Sequence, residues 1–400
     1  MDLRSHYPFW LLKHGIVKTY PSLDESIHTD VVVMGAGITG AIVAYYLSRA
    51  GFKVTIIDKR HVGQGSTAAS TCLLQYEIDT PLHKLIGMVG EQHAVRSYEL
   101  CLQSIRNLKR IASNFKYVEF IEKPSFQFAS YKNDIEGLED EYRLRKQYGI
   151  SEVELLTAKD IRDKYTFTAP AGILSQDGAQ MDAYRLTHSL IHSAMRNGLQ
   201  VYDSTEVVGI KHNKRSVQLR THTGCTITAR KLIVCCGYES QNYIPKKVET
   251  LFSTYAVISE PFEQGKFWYK NSLIWETAHP YLYLRTTSDN RILIGGKDDK
   301  FYNPDKRDAK LPVKAKQLQR TFSKLFPDIN FKPDFEWAGT FCNTKDGLPY
   351  IGSIRQRSNT YFALGFGGNG ITFSEIAAEI IADLLNGKKN KDAAIFSFDR

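Results

Sequence analysis

The stretch DVVVMGAGITGAIVAYYLSRAGFKVTIIDK, Asp30 to Lys59, decides the fold. Val31, Val32 and Val33 form a β-branched run without alternation, the pattern of a strand buried on both faces in a parallel sheet. Gly35-Ala36-Gly37-Ile38-Thr39-Gly40 follows at once. Ile38 to Ala50 then reads as a helix stopped by Gly51, and Phe52 to Ile57 as a second strand ending at Asp58. Together these make a βαβ unit with the dinucleotide-binding glycine fingerprint at its first turn. Gly35 permits the tight turn, Gly37 lets backbone approach a pyrophosphate, and Gly40 lets the helix lie close on the strand. The helix N-terminus offers unpaired amides and the positive end of a dipole to a phosphate. Asp58, followed by Lys59, stands roughly 20 residues on, where a carboxylate meets ribose hydroxyls. An ordinary crossover with a glycine-rich turn has no need of three glycines at this spacing.

A chain of 400 residues buries a large core and divides into two domains. Its net charge of +9 is diffuse, with small clusters at Lys246-Lys247 and at Lys388, Lys389 and Lys391. Neither cluster alternates with aromatics as a single-strand binding groove does, so nucleic acid is not an expected partner. The charge fits instead the attraction of anionic substrates or of a cofactor's phosphates. The six cysteines form no C-x-x-C pair, which argues against a zinc site and fits a reducing cytoplasm. His188 and His192 lie four apart without a glutamate between them in the zinc-protease manner, and are read as helix residues. No metal site is expected. No apolar run approaches ~18 residues, and the N-terminus lacks a signal peptide's apolar core, so the expected location is cytoplasmic with no transmembrane segment.

Residues 1–29 read as an extended aromatic and proline-bearing arm, which would stabilise a sheet edge or cover a site mouth. His61 to Ser70 is a run of small residues suited to placing amides and hydroxyls beside a ligand. Helices are expected over His83–Asn114, Asp134–Tyr148, Thr157–Lys164, Met181–Asn197 and Val313–Phe326, and from Thr372 to Leu385 before Asn386-Gly387. Val118 to Tyr131 reads as two strands joined at Lys123-Pro124. Short strands follow between Gln200 and Thr228, and Leu232 to Cys236, ending on Gly237, returns to the pattern of a buried parallel strand. Thr250 to Lys297 alternates as an antiparallel sheet, with a hairpin at Asp289-Asn290. The fold class is therefore α/β: a Rossmann-like nucleotide domain plus a second, α+β domain on a mainly antiparallel sheet.

Four motifs in order give the chain a wider resemblance: the βαβ unit; the loop Gly63 to Ser70; the strand Leu232 to Gly237; and Trp337-Ala338-Gly339 with Thr344 to Gly352, backed by the turn Gly365 to Thr372. This set resembles the FAD-dependent oxidoreductases of the D-amino-acid oxidase superfamily, which includes glycine and sarcosine oxidases and gamma-glutamylputrescine oxidase-like members. The resemblance implies an FAD extended between the two domains. It implies cofactor contacts from Gly35, Ala36, Gly37, Ile38, Thr39, Gly40, Asp58 and Lys59, and from Gln64, Gly65, Ser66 and Thr67. Further contacts fall on Cys236 and Gly237, and on Gly367, Gly368, Asn369, Gly370, Ile371 and Thr372 at the flavin ring. Val207 or Val208 would meet the adenine end through backbone atoms. The FAD domain is expected from 30–82, 165–240 and 335–400, and the substrate domain from 83–164 and 241–334.

Departures from the family pattern shape the expectation. The position that carries flavin covalently in sarcosine-type members falls on Thr340, with Cys342 two residues away, so the FAD is expected to be non-covalent. The arginine that holds a substrate carboxylate in glycine-oxidase-like members falls on Phe341. The lysine used for oxygen activation falls on Leu293, with Lys297 nearby, which leaves oxygen or a redox partner as acceptor. The expected reaction is oxidation of the C–N bond of a small amine or amino acid. The segment Trp275 to Arg285 supplies the candidate catalytic residues, because alternation puts Tyr281, Tyr283 and Arg285 on one face, with His279 beside them. Tyr255 and Asn343 are lesser candidates, and a half-buried strand with polar ends is the plainer reading of the whole segment. Two other functions fit the βαβ unit: an NAD(P)-dependent dehydrogenase, and a non-catalytic flavin subunit that relays electrons.

Overall fold

The valine run sits in the strand Ile27–Met34, flanked by parallel neighbours on both sides, Thr226–Val234 and Val54–Ile57. This arrangement comes from a computed structural model that describes residues 1–265, 267–357 and 359–400. The first sheet continues with Gln200–Tyr202 at one edge and with Thr360–Leu364 and then Tyr350–Ser353 at the other. Val31 and Val33 face one apolar cluster, whereas Val32 and Met34 belong to a second with Leu219 and Leu232. That two-sided burial is why the run shows no alternation.

The helix Ile38–Arg49 packs between Ala183–Met195 and Gly370–Leu385 on one face of this sheet. Polar contacts fix its position. Thr39 and Ser374 hydroxyls lie 2.7 Å apart, and the Tyr46 hydroxyl donates to Glu375 Oε1 at 2.5 Å. Asn107 of the long helix Glu91–Ala112 donates to the same oxygen at 3.0 Å, so one buried carboxyl ties three helices together. The meander Val207–His212, Val217–Thr221, Thr226–Val234 lies on the same sheet.

Among the described residues the second sheet has nine strands, antiparallel apart from the pair Leu273–Glu276 and Ile121–Phe128. The helix Pro304–Leu325 covers it, burying Leu318 and Phe322. The sheet also takes Leu73–Gln75, Ala171–Gln180 and Pro333–Asn343. Those strands come from stretches that the sequence reading gave to the first domain, because the chain crosses between sheets more often than composition reveals. The arm joins this sheet too. Ser5 N–H donates to the Ala338 carbonyl and Thr340 N–H to the Leu3 carbonyl, both at 2.9 Å, while Trp10 is buried with its indole N–H on the Ser70 carbonyl at 2.7 Å.

Three local expectations change. Ile121–Phe128 is a single strand whose register shifts between Lys123 and Ser125, since Pro124 has no N–H for the ladder. The helix expected over His83–Asn114 is two helices, Leu82–Val89 and Glu91–Ala112, separated by Gly90 at φ 83°. The helix expected from Val313 starts at Pro304, where the Asn303 side chain accepts from Lys306 N–H at 2.8 Å; Pro312 lies inside it rather than starting it.

Burial pushes the Glu375 carboxyl up to about 8, and the neighbouring Glu379 adds to the shift against hydrogen bonds from Tyr46 and Asn107. The folded chain therefore keeps a proton that the unfolded chain has released, and stability falls as pH rises from the ordinary carboxylate range through about 8. Glu375→Gln keeps an oxygen acceptor without the ionisation. The variant should lose less unfolding free energy between pH 6 and pH 9 than the parent, by on the order of a few kcal/mol, and correspondingly less melting temperature. Thermal unfolding at both pH values checks this, and equal losses would contradict it.

Candidate active site

The parallel strands of the first sheet end together, and their C-terminal ends open onto one cavity of about 430 Å³ that reaches the second sheet. At its mouth the turn after the first strand is closely packed. Gly35 has φ 107°, and a Cβ there would stand 2.4 Å from the Cys235 carbonyl oxygen. A Cβ on Gly40 would stand 1.8 Å from the Gly35 oxygen. At Gly37 an added methyl would meet only the Thr67 hydroxyl at 3.0 Å, on the cavity side. Gly37 caps the helix without a side-chain bond, and Thr67 accepts from the Ile38 amide at 2.9 Å. Among the described residues, the amides of Gly37 and Thr39 find no acceptor within the protein, and both residues line the cavity. Such a turn suits a pyrophosphate.

One end of the cavity is polar. Asp58 accepts from the amides of Ala36 at 2.7 Å and Arg60 at 2.8 Å, which hold its carboxylate at the cavity wall. Glu239 gathers Lys59 at 2.7 Å, Arg60 at 3.0 Å and the Met1 amine at 3.0 Å. Burial alone would raise the Glu239 carboxyl, but hydrogen bonds from Arg60 and Lys59 outweigh it and hold it at about 2. Val207 lines this end, whereas Val208 is 51% exposed and faces away.

Toward the other end, Gly365–Gly370 leads into the helix Gly370–Leu385. Gly368 N–H donates to Asp79 Oδ2 at 2.8 Å, and Asn369 Nδ2 donates to the carbonyls of Gln75 and Glu77 at 2.9 Å each. A Cβ on Gly367 or Gly368 would fall 2.6 or 2.7 Å from the Asp79 carboxylate, so the turn has no room for a side chain. The facing wall comes from the second sheet: Trp275, Tyr281, Tyr283, Thr254, Asp298 and Phe341. The Tyr281 hydroxyl donates to Asp79 Oδ1 at 3.3 Å, and its ring centroid lies 5.9 Å from that of Tyr283. Burial pushes both phenols up, so they stay neutral.

The remaining expected residues divide. Ile38, Gly65, Ser66, Cys236, Gly237, Asn369, Gly370 and Ile371 line the cavity. Ala36 and Gly40 lie beneath the turn, and Gln64 offers its carbonyl to Arg4 rather than to the cavity. Thr372 is buried, with its hydroxyl on the Asn369 carbonyl. His279 sits exposed in the loop before the Tyr283 strand. Arg285 differs most from its expected role. It is 2% exposed, lies 5.4 Å over the Trp10 ring, and donates to the carbonyls of Cys72 at 2.9 Å and Met181 at 3.1 Å. The alternation is real, yet one step beyond Tyr283 the strand has passed the cavity and meets the arm. Tyr255 bonds Asp299 at 3.1 Å, Asn343 is exposed, Lys297 gives its carbonyl to Lys314, and none of them lines the cavity. Cys342 has its thiol 3.7 Å from Glu249, whereas Thr340 lines the cavity. Asp79, Tyr238, Glu239 and Asp298 were absent from the sequence reading. Asp298 lies three residues beyond the alternating run Arg291 to Gly295, near the end of the strand Ile292–Asp299, whereas nothing local marks Asp79.

The comparisons with known proteins follow the same outline. A family model described as DAO, FAD dependent oxidoreductase, matches residues 30–384. The gamma-glutamylputrescine oxidoreductase of Escherichia coli (strain K12) is 27% identical over 386 residues, covering 92% of this chain and 86% of that protein. The glycine oxidase of Geobacillus kaustophilus (strain HTA426) is 26% identical over 396 residues, covering 93% of this chain and 97% of that protein. Among solved structures, glycine oxidase from Geobacillus kaustophilus superposes with a TM-score of 0.78 at 21% identity, over 93% of this chain and 99% of that one. The L-proline dehydrogenase from P. horikoshii gives a TM-score of 0.77 at 19% identity, over 94% and 97%.

Two substitutions test the geometry. Gly37→Ala should weaken flavin retention by tenfold or more with little loss of fold, because its methyl points at the cavity and meets only a movable hydroxyl. Flavin content after dialysis and the affinity of reconstitution measure this. Arg285→Leu should lower stability by about 1–3 kcal/mol per orphaned carbonyl, without a selective rise in KM. Denaturant unfolding beside steady-state kinetics separates the two effects.

Proposed function

The chain belongs to the DAO family of FAD-dependent oxidoreductases, and from that premise we propose that it oxidises the C–N bond of a small amine or amino acid. The observation that carries this reading is one continuous cavity. It runs from the glycine turn of the βαβ unit to the aromatic wall of the second sheet. The free amides of Gly37 and Thr39 would hold the pyrophosphate, Asp58 the ribose, and the Val207 segment the adenine end. Gly367 to Ile371 would border the flavin ring, with the helix N-terminus favouring negative charge there. With no cavity-facing thiol at Cys342, the cofactor would be held without a covalent link. FAD, when bound, supplies a two-electron acceptor for the hydride leaving the carbon beside the nitrogen.

The chain's own residues do the rest. Trp275, Tyr281, Tyr283 and Phe341 form an aromatic wall, whose desolvation disfavours an ammonium at the reacting nitrogen and so favours the neutral amine with its lone pair free. The neutral Tyr281 and Tyr283 hydroxyls orient that amine as donors or acceptors. As hydride leaves carbon, nitrogen forms a double bond to it and releases its proton to water. The imine then adds water and splits into a carbonyl and an amine. A family member of this kind need not carry a dedicated general base.

Anaerobic mixing of the yellow holoenzyme with a panel of amines and amino acids tests the reading. At least one should bleach the flavin within seconds to minutes, and admission of air or of a soluble redox acceptor should restore the colour and identify the acceptor. A panel without bleaching, from an enzyme that dithionite still reduces, would favour a non-catalytic electron-relay role.

A further inference from the structure

Charge is distributed unevenly along the cavity. At the Asp58 end its lining mixes the cations Lys59 and Arg60 with the acids Asp58, Glu206 and Glu239. At the aromatic end, among the described lining residues, the charged side chains are Glu77, Asp79 and Asp298, with no lysine, arginine or histidine. Glu77 has its counter-ion, because Arg145 lies 3.5 Å away and is itself buried. Asp79 is held by the Gly368 amide and the Tyr281 hydroxyl, neither of them a cation. Asp298 is half-buried at the cavity wall, and its Oδ1 is shut off from solvent with no hydrogen-bond partner. Burial and the nearby Asp79 charge push its carboxyl up to about 6. Two basic side chains stand near. His279 sits exposed at the rim on the Asp79 side, and Lys314 behind the sheet is engaged by Asp299 at 2.9 Å and the Lys297 carbonyl at 2.7 Å.

A buried carboxylate oxygen without a partner is costly unless an opposite charge arrives. The rings beside it favour the same visitor: Trp275 and Tyr281 lie 6.5 Å apart centroid to centroid, and Tyr283 is next to them. Phe341 on this wall offers nothing to a carboxylate. Building on the proposed C–N oxidation, we propose that the substrate carries a second, cationic nitrogen and no carboxylate, as an alkyl diamine does, with its distal ammonium held between Asp79 and Asp298 inside the aromatic wall. The nitrogen that is oxidised needs its lone pair and is neutral, so the ammonium at the two acids is a different one. No redox step is added: the carbon beside the neutral nitrogen still gives up the hydride, and the distal ammonium keeps its protons throughout.

The test uses the purified holoenzyme. Anaerobic bleaching is titrated with 1,4-diaminobutane, 1-aminobutane and glycine. Binding of a non-oxidisable dication, 1,4-bis(trimethylammonio)butane, is read separately by flavin absorbance change and calorimetry. The diamine should half-saturate at a concentration at least about tenfold below the monoamine, the worth of one charge-assisted contact, and glycine should be the poorest donor. Asp298→Asn should erase most of that preference and weaken dication binding about tenfold, with flavin content unchanged. Asp79→Asn, whose side chain still accepts from Gly368, is the companion variant should the first fold poorly. Equal saturation by diamine and monoamine, better use of glycine, or an Asp298→Asn enzyme with the same preference would each overturn the proposal. Dication binding that depends on Asp298 without bleaching by any amine would instead overturn the C–N reading and leave the cation site standing.

Discussion

Everything in this fold hangs on a contact that leaves no space. The Gly40 backbone lies against the Gly35 carbonyl so closely that a single methyl would stand 1.8 Å from it. Gly35 is also tight, and a methyl there would stand 2.4 Å from the Cys235 carbonyl oxygen at the end of the neighbouring strand. These approaches draw the N-terminus of the helix Ile38–Arg49 down onto the sheet edge where Met34, Ile57 and Val234 end. Were the helix farther off, its free amides would meet water instead of a ligand, and the strand ends would not frame a cavity. Interiors packed at this density shift little, so the position of the turn is passed on to every wall built against it.

The second sheet completes that frame from a distance. Its Tyr281–Tyr283 segment and the Gly367–Gly368 turn meet across Asp79, which accepts from both the Tyr281 hydroxyl and the Gly368 amide. One carboxylate thus couples the substrate wall to the turn before the last helix, and a shift in either alters the other. Glu375 plays a comparable part among the helices, where it serves Tyr46 and Asn107 with one oxygen.

How much of this was legible in the chain follows from range. The βαβ unit is local: strand, turn, helix and acid lie within thirty consecutive residues, so periodicity and glycine spacing suffice to read it. The turn at Gly365–Gly370 needed the resemblance, because isolated glycines also make plain loops. Alternation groups Tyr281 and Tyr283, which both line the cavity, but it carries no information about where a cavity stops. Arg285 therefore looked like their companion while being spent on the carbonyls of Cys72 and Met181. Val207 and Val208 show the same limit on a smaller scale, since the choice between them depends on which face of a twisted strand meets a partner. Asp79, Glu239 and Asp298 owe their roles to neighbours 180 or more residues away or to the walls they share, and no local pattern announces such a neighbour.

The N-terminal arm gives the cavity a property beyond shape. Leu3 lines the polar end, and the backbone on either side of Arg4 is stitched to Ala338 and Thr340 by the two 2.9 Å hydrogen bonds that add it to the sheet edge. A molecule occupying that end lies beneath a short strand whose inner side chain it touches. Local opening of those two bonds would uncover this end while both sheets beneath stay folded, so one stretch of the cavity wall is held far more lightly than the rest.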